Sequence, residues 1–370
     1  RPPRSGVQWP PPMLWPRKYR APALLTALLA CRGEPAPAPA AAATAPPPAP
    51  ERPWLKGQLH LHTGNSGDSA TAPADALRWY AAHDFDFVVF TDHNFVTVAP
   101  PDAPLLALPG VELTQNLETC DPPPEHPEFG CLLHVNALLV DPARAGQARV
   151  PPAGSQRRVD RFGAALQTTR ELGGVAQLNH PNFHYAADGA LLAALAGDGL
   201  ALFELANAAI DSNNAGDAEH PSTEALWDDA LGRGARLFAV ATDDAHHYFD
   251  AAAVEGRGET AYLGDRGFVV VHADRDAAAI RAALLAGDFY ASTGVRLRAL
   301  ARTPEAIELT TDAPCDLEFV GLDGEVQRRV RGTHARMALS ETGGPYLRAR
   351  VRDDAGRMAW TQPIWRADRP

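Results

Sequence analysis

Positive charge and cysteine are scarce in this chain, and several common catalytic motifs are missing. Lysine and arginine number 34 against 45 aspartates and glutamates, a net charge of -11. That balance argues against a nonspecific binder of nucleic acid or of an anionic membrane surface, either of which needs a basic face. There is no P-loop, no dinucleotide-binding fingerprint and no serine nucleophile elbow, so the chemistries those motifs carry have no recognisable machinery here. No repeat period runs through the sequence. What is plentiful is apolar surface: 45% of the 370 residues are hydrophobic, enough for one large core and a small second one.

The first 53 residues are expected to lie outside any core. Arg1–Pro12 precede the first methionine, and Met13 is the expected start. Arg17-Lys18-Tyr19-Arg20 then forms a basic region, followed by Ala21–Ala30, an apolar stretch too short to span a bilayer. Leu28-Leu29-Ala30-Cys31 resembles a bacterial lipobox, whose cysteine carries lipid in the mature protein. Glu34–Pro53 is almost wholly proline and alanine, a semi-rigid solvated tether. Together these imply an exported protein of the cell envelope or periplasm, touching the membrane only through lipid on Cys31. An exported chain tolerates disulfides. Cys120 and Cys131 bracket a loop with no packing residues, and a bridge closing it would remove denatured-state entropy worth about 2–3 kcal/mol. A Cys/His metal knuckle with His126 lacks the usual two-residue cysteine spacing. Cys315 is expected to be unpaired.

Seven short apolar segments each carry a residue able to hold a metal ion. They are Leu59–His62, Phe87–His93, Leu108–Glu112, His134–Leu139, Val175–His180, Leu202–Glu204 and Phe238–His246. Strands of a parallel barrel are buried on both faces and read as continuous apolar runs, and the residues at their C-terminal ends converge on one mouth. The stretches between them have helical periodicity at Pro73–Asp84, Arg158–Leu172, Gly189–Leu195 and Ser222–Leu231. The fourth segment differs because His134 opens the run. Two histidines at i and i+2 on a strand share a face, so His60 and His62 both point into the mouth.

His60-Leu61-His62, Thr91-Asp92-His93, Gly110-Val111-Glu112, Asn179-His180-Pro181 and Asp244-Ala245-His246 together resemble the motifs of the PHP (polymerase and histidinol phosphatase) domain family. Further stretches, among them Glu204-Leu205-Ala206-Asn207 and Gly287–Gly294, resemble the branch that includes bacterial carbaryl hydrolases. The resemblance implies an α/β fold, a distorted seven-stranded (β/α) barrel holding two or three divalent ions. By that resemblance His60, His62, Glu112 and Asp244 hold one ion, and Glu112 bridges to a second held by His134 and His180. A third uses His93, His246 and Asp68. Asp92 is expected to fix the tautomer of a neighbouring histidine, and catalysis is expected of Asp92, Glu112, Asp244 and His246.

Imidazole and carboxylate donors without thiolate suit Zn²⁺, Mn²⁺ or Fe²⁺. Two such ions about 3.5–4 Å apart lower the pKa of a shared water, and the hydroxide bridging them attacks. The expected reaction is therefore hydrolysis of an ester, carbamate, amide or phosphoester bond in a small-molecule substrate. The alternative is a noncatalytic envelope lipoprotein that binds a metal or ligand. Glu204 and Asn207 could touch substrate or make structural hydrogen bonds. His184 and Tyr185 could line the mouth, and Tyr290, Ser292 and Thr293 could contact substrate. His247 is expected at the surface and His83 in the packing of the first helix. From Arg302 onward the pattern alternates with turns at Asp323-Gly324 and Asp354–Gly356. The expected organisation is a leader and linker over 1–53, the metallohydrolase barrel over 54–300 and a small β appendage over 301–370. If Cys31 carries lipid, Cys31→Ala moves the protein from the detergent phase to the aqueous phase on detergent partitioning. An unchanged distribution leaves the anchor without support.

Overall fold

The computed structural model describes residues 52–152 and 154–366. The leader, the tether and Cys31 lie outside them. The elements in order are β1 (Trp54–Gln58), α1 (Pro73–Ala82), β2 (Phe87–Val89), β3 (Leu106–Leu108), β4 (Gly110–Leu117), β5 (Cys131–Leu138), α2 (Arg158–Glu171) and β6 (Val175–Leu178). Then come α3 (Gly189–Gly197), β7 (Leu202–Asn207), α4 (Thr223–Gly232), β8 (Phe238–Thr242), α5 (Ala251–Gly256), β9 (Phe268–His272), α6 (Ala277–Ala286) and β10 (Phe289–Ser292). The C-terminal strands are β11 (Leu297–Arg302), β12 (Ala306–Val320), β13 (Val326–Ala338), β14 (Tyr346–Arg352), β15 (Met358–Thr361) and β16 (Ile364–Trp365).

The helices begin where local chemistry says they should. Pro73 opens α1 at a position whose N–H has no helical partner anyway. Asp188, Ser222 and Asp276 cap α3, α4 and α6 by accepting from the backbone N–H of Leu191, Ala225 and Ala279.

The chain is a mixed α/β protein whose strands fall into two ladders. The seven segments are divided between two sheets: β1, β2 and β3 belong to an 11-stranded sheet, while β4 to β8 form a 5-stranded one. In the smaller sheet β5 runs antiparallel to both β4 and β6 while β6, β7 and β8 are parallel neighbours, as β1, β2 and β3 are in the larger one. Pro109 separates β3 from β4, and a residue without an N–H is a natural break in a ladder. Gly110 follows because the chain passes too close for a side chain, with a Cβ there falling 2.6 Å from the Phe90 carbonyl oxygen. On the far side the sheets meet just past the ends of β1 and β8, where Asp244 N donates to His60 O at 3.0 Å and His62 N to Ala245 O at 2.9 Å. Leu59, Val89, Leu108, Leu138, Leu202 and Val240, drawn from strands of both sheets and the turn after β1, share one buried cluster. This apolar layer lies under the polar site.

The disulfide Cys120–Cys131 is formed and Cys315 is free and buried. The described residues form one compact unit, and position 301 falls inside β11. The C-terminal strands continue the larger sheet through the pairing of β10 with β15. They are also clamped to α4. The Arg348 guanidinium, fully buried, donates to Asp228 from Nε at 2.9 Å and Nη2 at 2.6 Å, and its Nη1 lies 2.8 Å from Glu224. Tyr346 donates to the same Asp228 carboxylate at 2.9 Å. No helix among the described residues is long and apolar enough to cross a membrane. Removing one partner of a buried ion pair strands the other, so Asp228→Ala should lower stability by about 3–5 kcal/mol. Urea unfolding measures this, and a loss below about 1 kcal/mol, the scale of an exposed pair, counts against the clamp.

Candidate metal centre

Nine side chains named from sequence meet at one place. His60 and His62 follow β1, with Nε2 atoms 3.1 Å apart. Asp244 Oδ1 lies 3.2 Å from His60 Nε2 and 3.1 Å from His62 Nε2. Glu112 of β4 lies between the groups: its Oε1 is 3.5 Å from His60 Nε2, 3.2 Å from His134 Nδ1 and 3.6 Å from His180 Nε2. Asp68 Oδ2 is 2.9 Å from His93 Nε2 and 3.3 Å from His246 Nε2. Three donor groups result, namely His60, His62 and Glu112; Glu112, His134 and His180; and His62, Asp68, His93 and His246.

The donors fit a cation. Ring nitrogens face each other in two pairs, His60 with His62 and His134 with His180, the latter at 3.3 Å. Two lone pairs cannot share such a contact without a proton or a cation between them. Glu112 Oε2 is buried without a hydrogen-bond partner. It is 2.7 Å from His93 Nδ1, a contact of charge rather than of hydrogen-bond geometry. Backbone strain gathers here too: His180 and Asp244 both have positive φ, 27° and 52°, the kind of conformation that packing sustains where function needs it.

Burial opposes charge on every one of these groups, and their mutual attraction overrides it unevenly. His60 is held well above the ordinary imidazole value because Asp244, Glu204 and Glu112 outweigh burial. Glu112 and Asp244 are held well below the carboxylate range, against burial, by the surrounding imidazoles. Burial also opposes charge on His93, yet Glu112 and Asp68 push it up to about 10. For His62 burial wins, helped by His246, and the value falls to about 3.

A second layer orients the donors. Glu204 of β7 is fully buried; its Oε1 is 2.6 Å from His60 Nδ1 and accepts from Thr242 Oγ1 at 2.7 Å, and its Oε2 accepts from His180 N at 2.7 Å. Asn207 donates to Glu204 at 2.8 Å and to Asp244 at 3.1 Å. Asn179 donates to Glu112 at 2.7 Å. Glu204 and Asn207, left open by the sequence, thus make hydrogen bonds within the centre. The tautomer role expected of Asp92 is corrected. Its carboxylate accepts from Thr63 N at 2.6 Å and from the Thr63 and Thr97 hydroxyls, and reaches no histidine. Asp92 ties down the turn after β1, while Glu204 performs the orienting role. Sequence offered a signal: neighbouring residues on an extended chain face opposite sides, so Asp92 and His93 do not both point inward.

The centre floors a cavity of about 330 Å³, whose other walls include Phe183, Asp211, His247 and Tyr262. His247 is therefore at the cavity, with Nδ1 accepting from Tyr262 N at 3.0 Å. His184 and Tyr185 are not among the lining residues, and Tyr185 instead stacks on His220 with ring centroids 3.5 Å apart. Tyr290, Ser292 and Thr293 bond to Leu297, Val295 and Met358, at the junction with the C-terminal strands. His83 stacks on Trp79.

No protein-family model matches the chain, and no curated protein matches it. Among solved structures, it is similar to a two-domain protein from Bacteroides vulgatus containing a predicted PHP-like metal-dependent phosphoesterase. The TM-score is 0.43 and the identity 17%, over 81% of this chain and 90% of that one. It is also similar to an amidohydrolase from Chromobacterium violaceum with bound sulfate and no metal, with a TM-score of 0.35 and 16% identity over 51% of this chain and 87% of the other.

A carboxylate behind a metal-binding histidine fixes its tautomer, and its loss costs about 10–100-fold in metal affinity. Glu204→Gln should show that loss for Zn²⁺ in competition with a chromophoric chelator, with unchanged circular dichroism. Wild-type affinity would remove the role assigned to Glu204.

Proposed function

We propose that the chain is a PHP-type metal-dependent hydrolase, its two sheets together making the distorted barrel of that family. The observation that carries the reading is the convergence of imidazoles and carboxylates from distant segments into three overlapping donor groups around Glu112. His60, His62, Glu112 and Asp244 would hold one divalent ion, and Glu112, His134 and His180 a second. Asp68, His93 and His246 would hold a third. Such ions, as Zn²⁺, Mn²⁺ or Fe²⁺, lower the pKa of water and polarise the oxygen on which charge develops.

The chain's own residues supply the rest. Asn179 and Asn207 fix Glu112 and Asp244, so the carboxylates need no reorganisation during reaction. His247 accepts from Tyr262 N at Nδ1, which leaves its proton on Nε2. From the cavity wall that N–H can donate a hydrogen bond to the oxygen on which charge develops. No lysine or arginine is among the residues lining the cavity, and a phosphoester site usually recruits them. This supports an uncharged ester, carbamate or amide. The protein acts on a small molecule outside the cytoplasm, and lipid on Cys31 is its proposed link to the membrane.

Purified protein loaded with Mn²⁺ or Zn²⁺ should hydrolyse 1-naphthyl acetate or 1-naphthyl carbamate faster than p-nitrophenyl phosphate or a phosphodiester. His62→Ala should abolish turnover and cut metal content, and His83→Ala should do neither. His247→Ala should lower kcat by about 10²-fold, as for a lost donor to the oxygen on which charge develops, with metal content unchanged. Stoichiometric metal without turnover on any class would favour the noncatalytic binding protein.

A further inference from the structure

We propose that the loop closed by the Cys120–Cys131 disulfide builds an apolar subsite beside the metal centre, with Phe129 as its outer wall, which takes a bulky uncharged substituent of the substrate. The inference rests on the hydrolase reading and narrows its substrate class. Aromatic rings run outward from the centre in unbroken contact. The Phe183 ring, on the cavity wall, is 5.0 Å from His180 and 4.4 Å from His184. His184 in turn is 4.7 Å from Phe129. Phe129 itself is 56% exposed, an apolar ring left in water at the end of a path that begins at a candidate metal ligand.

Other loops that carry cavity residues expose large apolar side chains as well. Among the described residues, Phe95, Val98, Ile210 and Phe249 are also large, apolar and exposed. Each comes from a loop that carries cavity residues: Phe95 and Val98 follow His93, Ile210 sits between Ala209 and Asp211, and Phe249 follows His246 and His247. A polar floor under an apolar rim fits a molecule with its scissile bond inward and its hydrocarbon outward. Four other contacts hold the Phe129 loop in place besides the disulfide. Asp121 N donates to Gln156 O at 2.7 Å, Arg158 N to Asp121 O at 2.8 Å and Arg158 Nη2 to Pro123 O at 3.1 Å, while Glu125 pairs with His220 at 2.9 Å. The wall is thus in position before substrate arrives, which spares the ordering cost of binding.

The test compares p-nitrophenyl acetate with p-nitrophenyl hexanoate on metal-loaded protein. Wild type should show the lower KM for hexanoate. Phe129→Ala should raise that KM by about tenfold, the scale for losing apolar contact in a pocket, leaving KM for acetate, kcat and metal content unchanged, and Phe129→Leu should restore most of the preference. Calorimetric titration of N-hexylacetamide against N-ethylacetamide reads the same preference by binding alone, so it remains decisive if no ester is hydrolysed and the hydrolase reading fails. Equal KM shifts for both esters, or equal loss of both amides in Phe129→Ala, would overturn the proposal. So would Phe129-dependent sedimentation with phosphatidylcholine vesicles without any chain-length preference, which would assign the rim to a membrane surface.

Discussion

Charge held away from water is the constraint around which this molecule is built. Glu112 and Asp244 are buried, each within 3.5 Å of His60 Nε2, and isolated carboxylates in such a place would simply take up protons. The imidazoles keep Glu112 and Asp244 ionised, and a divalent cation would do so more completely. The layer behind the donors is consistent with that task, since it is rich in neutral amides and hydroxyls. Gln58, Asn136, Gln177, Asn179 and Asn207 fill lone pairs and donors without adding charge. Gln58 shows the economy of the arrangement: its Oε1 accepts from Leu59 N, His60 N and Asp243 N, so one side chain sets the ends of β1 and β8 together.

The sheets serve the centre by where they are interrupted. Pro109 and the turn at Asp244 are the two places where the ladders of one sheet give way to those of the other. Next to the first stands Glu112, and the second is itself a candidate ligand. β5 is reversed, so its N-terminal half, carrying His134, reaches the rim that its parallel neighbours reach with their C-terminal ends.

The candidate ligands were legible because a buried strand has few polar residues, and those at its rim-facing end stand out with a period of two. Strand direction was not legible: an apolar run reads alike both ways, and only the odd placement of His134 hinted at reversal. Antiparallel β4 and β5 are joined by the loop that the Cys120–Cys131 disulfide closes. His247 was expected at the surface for a different reason. The alternation rule assumes extended backbone, and the positive φ of Asp244 breaks that assumption just before the pair. Glu204 and Asn207 could be named but not assigned, because a strand end can address either solvent or the centre until its partner His60 is placed.

The C-terminal strands bear on the same constraint. β15 pairs with β10, β10 with β9 and β9 with β1, so a continuous ladder runs from the last strands to the one that precedes His60 and His62. A second brace reaches β8, where Gln362 accepts from Ala239 N at 2.9 Å and donates to Ala239 O at 2.8 Å, as a neighbouring strand's backbone would. β1 and β8 are the strands whose ends meet at the centre. Held by Arg348 and Asp228 against α4, the C-terminal strands keep those two from drifting apart, which is what closely spaced, like-charged carboxylates would otherwise favour. The appendage therefore acts as a brace for the donor geometry, and its energetic weight reaches the site through backbone ladders rather than through any side chain in the cavity.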